Sequence, residues 1–423
     1  MDSQLDTLSP DAVATLRSVA AARTLALPYP TGREEIWRYT DVAAFRADGL
    51  RRPVPWRTLA EVPRAALDWI AGLGPAAGAT VSLVDGEALP QEAPDDATGI
   101  RVLPLRLAAE RLPALLAAHL GEAVGPEDAF AADALAELQD GALIYVPPGV
   151  EVAEPVRVAL ALATAGVAVR SRTVIVVGAH GRLALEEHLG GPDLAGPSRL
   201  GHVTEIFLGP GAQLTYLSWQ HLGAGARLLL QGRARLSGGA SLQALHAAWG
   251  ATQARSAFGV TLEGAGAEAV LSGVHFASGD QHLQHATEQR HLAPHTRSDL
   301  LYKGAVGGAG HAVYTGTIHV APGARRTDAY QASRNLLLSP RARADVSPRL
   351  EIETNDVRCT HGASVGRLDE AQRFYLMSRG LDRRAADRLL VTGFLAEVAA
   401  RMTWPGLEER LDAAIADKLE AVP

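Results

Sequence analysis

The chain has 423 residues, 47% hydrophobic and 21% charged, which are the proportions of an ordinary globular protein and exclude wholesale disorder or a fibrous design. The formal charge is −7, from 40 basic and 47 acidic residues without a long Lys/Arg run, so nothing draws the chain to a nucleic-acid backbone. No run of about 18 apolar residues offers a membrane span.

Residues 1–140 are expected to form a mostly helical N-terminal cap with some α/β character. Its acidic start, MDSQLDTLSP, lacks the basic-then-apolar pattern of an export signal. SPDAVATLRSVAAARTLAL, from Ser9, offers a serine cap, a proline at the first helical position and apolar residues at helical spacing. TVSLVDGEAL alternates around an Asp-Gly turn and predicts a hairpin. LPLRLAAERLPALLAAHL then returns to helical periodicity before an Ala-rich stretch that reaches Gln139.

Over residues 141–366 short runs rich in Val, Leu and Thr alternate between glycine corners, the pattern of strands. GAHGRLAL, GPGAQLTY, GGASLQAL and GAGAEAVL begin at Gly178, Gly209, Gly238 and Gly264, in steps of 31, 29 and 26 residues. Related corners return at Gly307 and Ala321. A corner repeated at a loose period marks a β-solenoid, whose turns bury their apolar faces only by stacking. A β-sandwich or jelly roll would need closer, hairpin-like spacing with Asn-Gly or Asp-Gly turns, and residues 141–278 have none.

Residues 367–423 are helical again. LDEAQRFYLMSRG places acidic residues in its first turn, basic ones in its last and a glycine stop after them. DRRAADRLLVTGFLAEVAARM and PGLEERLDAAIADKL make two further helices. Their apolar faces must bury against the solenoid end or against a partner.

Thirteen of the 14 histidines lie between His180 and His361. His282, His285, His291 and His295 form the densest group, but spacings of three and four align ligands on a helix, not on a strand. They make a weak zinc site. Cys359, the only cysteine, stands two residues before His361 in NDVRCTHGASVG. One cysteine makes no internal disulfide, so a reducing, cytoplasmic setting is expected. On an extended segment the pair projects from one face, about 7 Å apart at Cα, and could share a metal or cluster. That supplies two ligands where iron–sulfur clusters normally take four, so such a site would be incomplete without another chain. A half-buried thiol beside a surface imidazole fits the spacing equally. Catalysis by the pair fits less well, because neighbours on one strand face lie side by side and no orienting third group is evident. The chain carries no GxxxxGK[ST] motif, hence no ATP site of that kind, and glycine-rich GAVGGAG precedes a strand and not a helix.

Three blocks resemble the SufB/SufD family of iron–sulfur cluster assembly proteins. EEIWRYTD (34–41) is similar to the family's N-terminal motif and QRHLAPHTRSDLLYKG (289–304) to its mid-core motif. The long block TDAYQASRNLLLSPRARADVSPRLEIETNDVRCTHGASVGRLDEAQRFYLMSRGL (327–381) resembles its C-terminal signature. A SufB-like chain would carry several cysteines, one of them just before SPRLEI, where RARADV stands here; the single Cys and CTHGA make the chain similar to SufD. The resemblance implies a mainly β fold: a right-handed parallel β-helix flanked by helical N- and C-terminal domains. It also implies a non-enzymatic subunit that pairs with a SufB-like chain through the β-helix and with a SufC-like ATPase through the C-terminal helices. His361 would be the metal ligand, with Cys359 beside it, for a transient iron–sulfur cluster or iron shared with SufB. Whether the isolated chain homodimerises stays open. Two other readings stand beside this one: an adaptor without ligand chemistry, and a β-helix carbohydrate-active enzyme, for which Glu186, Glu187 and Glu205 are the strand-region carboxylates.

Overall fold

The computed structural model describes residues 11–90 and 98–420. The expected Ser9 cap and Pro10 lie outside these residues; the helix itself runs Asp11–Ala26. Among the described residues no helix is long and apolar enough to cross a membrane.

From Asp140–Val146 to Val357–Arg367, sixteen strands alternate between two sheets, eight in each. Every strand pairs in parallel with the one two places on, so two strands make one turn and the solenoid has eight turns. Register is kept from turn to turn: Leu228 lies beside Leu200 on one side and Ala254 on the other. Because side chains alternate between faces, a slip of one residue would turn such a row out of the core.

The corners explain the glycines that repeat in the sequence. They stack so closely that a Cβ on Gly264 would lie 2.0 Å from the Gly238 nitrogen. Gly211 and Gly239 take φ of +65° and +67°, a left-handed turn that side chains resist.

Inside, the sheets enclose one core whose early rows are mostly aliphatic, among them Val158, Ile175, Leu185 and Ile206, around a buried Glu187–His202 pair. Later turns bury polar rings in the same space: His246, His275, His285, Tyr302 and Tyr314. The N-terminal region covers the outside of the nine-stranded sheet, where Trp37, Phe45 and Phe130 pack on Leu229. The C-terminal helices, Glu370–Ser378, Arg383–Ala399 and Leu407–Glu420, begin at the predicted places. Asp369 and Asp382 cap the first two through their side chains.

These helices do not cover the solenoid end. Val391, Leu395, Val398, Leu411 and Ile415 pack on the flank of the ten-stranded sheet, against Leu217, Trp219, Leu245, Trp249 and Phe276. That flank is apolar and needs a cover; each fully buried Leu or Ile contributes about 1.5–3 kcal/mol. LPLRLAAERLPALLAAHL is helical as its periodicity predicts, in two helices, Leu105–Arg111 and Pro113–Ala117. Pro113 lacks an N–H and disfavours helical geometry at Leu112, whose φ and ψ are −135° and 49°.

Candidate functional site: the open end of the solenoid

Both sheets stop at the same end. Arg343–Ile352 is the last strand of the nine-stranded sheet and Val357–Arg367 the last of the ten-stranded one. Among the described residues each pairs on one side only, so each leaves a row of backbone N–H and C=O groups without a described strand beyond it. The terminal strand is exposed along most of its length, Val365 to 43%.

Cys359 and His361 sit on this strand, opposite Ala329 and Gln331 of Thr327–Leu337. The ladder is unbroken there, so the two side chains share a face as their spacing predicts. Their surroundings differ. Cys359 is half-buried against Ile318, Ala329 and Leu350, and burial pushes its thiol above the ordinary value. A raised thiol is protonated near neutral pH and binds metal only by giving up that proton. His361 is exposed and has no hydrogen bond or ion pair to any described residue. No group of three or more His, Cys, Asp or Glu among the described residues could hold a metal ion.

The other histidines scatter as strand geometry requires. His282 faces outward, its Nδ1 3.3 Å from that of His311 and its Nε2 3.0 Å from Thr40 Oγ1. His285 turns into the core beside His275. His291 bonds Thr296 and Ser298, both at 2.8 Å, and His295 occupies a corner with φ +58°. The candidate sugar-cleaving carboxylates are likewise apart and engaged. Glu186 pairs with Arg157 and Arg410. Glu187 is buried inside the solenoid, where it accepts from Thr204 and Tyr216 and meets His202 Nε2 at 3.0 Å. Burial alone would raise its carboxyl, but His202 and the hydroxyls hold it down at about 2. Glu205 accepts from Arg172 and from the backbone of Gly121, Ala123 and Val124. These three line no common cleft.

The three blocks that carry the family resemblance meet in the last turns. Arg349 of the last block, on the final strand of the nine-stranded sheet, donates to Glu35 of the first at 2.8 Å, and Gln284, just before the middle block, donates to the Ile36 carbonyl at 2.6 Å. Gln289 and Thr296 of the middle block reach Tyr330 and Thr327 of the last. The chain matches the family model for the SUF system FeS cluster assembly SufBD core domain over residues 160–394. It belongs to the SufBD family. A SufBD family protein of Mycobacterium tuberculosis is 31% identical over 406 residues, covering 93% of this chain and 90% of its own. SufD of Bacillus subtilis is 28% identical over 281 residues, 66% of this chain and 64% of that one. SufD of Escherichia coli is 40% identical over 122 residues, 29% of each. These likenesses to SufD agree with the reading from the single cysteine. The core-domain match of this SufBD chain takes in the whole terminal strand.

A second surface lies beyond the strand. Phe374, Tyr375 and Met377 on Glu370–Ser378 are 73%, 62% and 43% exposed, and Leu389 on the next helix 52%. Arg373, which also bonds Glu370 on its own helix, pins the two helices together by bonding Asp387 on the second. The apolar side is therefore presented on a fixed frame.

Proposed function

We propose that this chain is a SufD-like scaffold subunit in iron–sulfur cluster assembly, and not itself an enzyme. The observation that carries the reading is the uncapped solenoid end, where an exposed His361 without a partner stands beside a half-buried Cys359. An edge strand of this length extends readily to a strand from another chain. A SufB-like subunit pairing here would bring thiolates to His361, and the two chains would jointly hold a nascent cluster or incoming iron as cargo. Cys359 is the further ligand candidate, its proton leaving as metal arrives. Alone, the chain could pair through the same edge with a second copy. The exposed apolar face at Phe374, Tyr375 and Leu389 is the docking surface for a SufC-like ATPase. Hydrolysis there would act on the shared end as a rigid-body movement.

Reconstitution with SufB-like and SufC-like subunits tests this reading. His361→Ala should assemble like the parent and lose about tenfold or more in iron–sulfur content, as loss of one ligand from a shared site implies. Unchanged cluster content with intact assembly would favour the adaptor reading and remove ligand chemistry from this chain.

A further inference from the structure

Arginines 170, 172, 199 and 255 are buried on the outward side of the nine-stranded sheet, and three of them are paired. Arg172 bonds Glu205, and Arg170 and Arg199 share Asp133. Arg255 is only 4% exposed, and no carboxylate of a described residue stands within ion-pair distance of it. Its Nε has no hydrogen-bond partner. The guanidinium lies 4.0 Å from the ring centroid of Trp37, which Phe130 and Phe45 support. Burial lowers its pKa to about 10, with Asp128 offsetting part of the effect, so the group is still charged at neutral pH. A buried cation without a counter-charge is costly, and a bound anion is one way to relieve it.

The guanidinium borders a pocket of about 300 Å³ between the EEIWRYTD segment and the sheet. That volume is at the lower end for small-molecule sites. Ala257, Gly259 and Ala286 give the pocket a floor of small residues, and Thr315 lines it with a buried Oγ1 that has no hydrogen-bond partner. The other charges around it are engaged or at the rim. Arg233 pairs with Glu288 at 3.0 Å and Arg349 with Glu35. Asp128 caps the Ala129–Ala136 helix and accepts from Gln231, and Glu127 is exposed.

We propose that this pocket binds a small molecule through a carboxylate or phosphate group, gripped by the guanidinium of Arg255 and the hydroxyl of Thr315. With one face of the guanidinium on Trp37, its N–H edge remains for paired hydrogen bonds to an oxyanion. The site lies on the flank of the solenoid and does not depend on cluster ligation at His361.

The test titrates the full chain with inorganic phosphate and with succinate at constant ionic strength, by calorimetry and thermal shift, with chloride as the control. At least one probe should bind saturably and raise Tm. Arg255→Gln should weaken that binding about tenfold or more, and Thr315→Val a few-fold. Arg235→Gln, which removes a cation paired with Glu263 outside the pocket, should leave it unchanged. If Arg255→Gln does not fold, Ala286→Phe, which fills the pocket from its floor, should abolish binding. Failure of both probes to bind the parent at millimolar concentration overturns the proposal. So does undiminished binding by a folded Arg255→Gln or by Ala286→Phe, or equal loss in Arg235→Gln, which would mark general surface attraction.

Discussion

At its first turns the solenoid is closed. Thr80–Val84 joins the ten-stranded sheet, turns at Asp85-Gly86 and returns as antiparallel Glu87–Ala88, while Arg101–Pro104 runs antiparallel to Asp140–Val146 and finishes the other sheet. At the last turn both sheets end on parallel strands with no strand beyond them among the described residues. Stacked repeats need caps to keep their ends from pairing. Cys359 and His361 stand on the bare end, the one that the proposed second polypeptide would extend.

Mutations at the two ends should differ most. Ile144→Ala, in the closed core, should cost about 2–5 kcal/mol in urea unfolding. Val365→Lys, on the exposed terminal strand, should change stability by less than about 0.5 kcal/mol yet block capture of a SufB-like partner. Equal destabilisation by the two would erase the distinction between the ends.

The interiors should also part company in acid. Burial holds His246, His275 and His291 at about 4 and His285 well below its ordinary value, with neighbouring imidazoles lowering His285 further. The folded pKa lies below the unfolded value near 6.5, so the unfolded chain takes up protons first and stability falls as pH drops from 6.5 towards 4. The fall should be visible as a decline in Tm between pH 6.5 and about 5, above the range in which carboxylates of the unfolded chain take up protons. His285→Leu should flatten that decline, whereas Ile144→Ala should shift the curve down without changing its slope.

Smaller effects are expected outside the core. Phe374→Ser, at a side chain 73% exposed, should alter stability by under about 1 kcal/mol and weaken capture of a SufC-like ATPase in a pull-down. Cys359→Ser removes a half-buried thiol and should cost about 1 kcal/mol or less by urea unfolding, the smallest change at the open end besides that of Val365→Lys.

Local rules made much of this legible in the sequence. Gly178, Gly209 and Gly264 recur because a Cβ there would strike the backbone of the neighbouring corner, so their spacing revealed the solenoid. Asp85-Gly86 takes the positive φ angles of a hairpin turn, 49° and 85°, as the dipeptide predicts. The Cys359–His361 alignment follows from strand periodicity alone. What was hidden depends on long-range packing. The helices could have covered the solenoid end or a partner; their seat on Trp219, Trp249 and Phe276 is set by an apolar sheet flank assembled from several turns. Arg255 carries no motif, and its lack of a counter-charge appears only when Trp37, more than two hundred residues earlier, is laid across it.

The claim that a second chain completes a coordination shell begun by His361 can be read directly by pulsed electron paramagnetic resonance. This chain, labelled with ¹⁵N-histidine, would be assembled with an unlabelled SufB-like subunit and the bound cluster reduced. A ¹⁵N hyperfine coupling that disappears in His361→Ala is the predicted result. A cluster-loaded complex with no ¹⁵N coupling, or with one that survives the substitution, would contradict it.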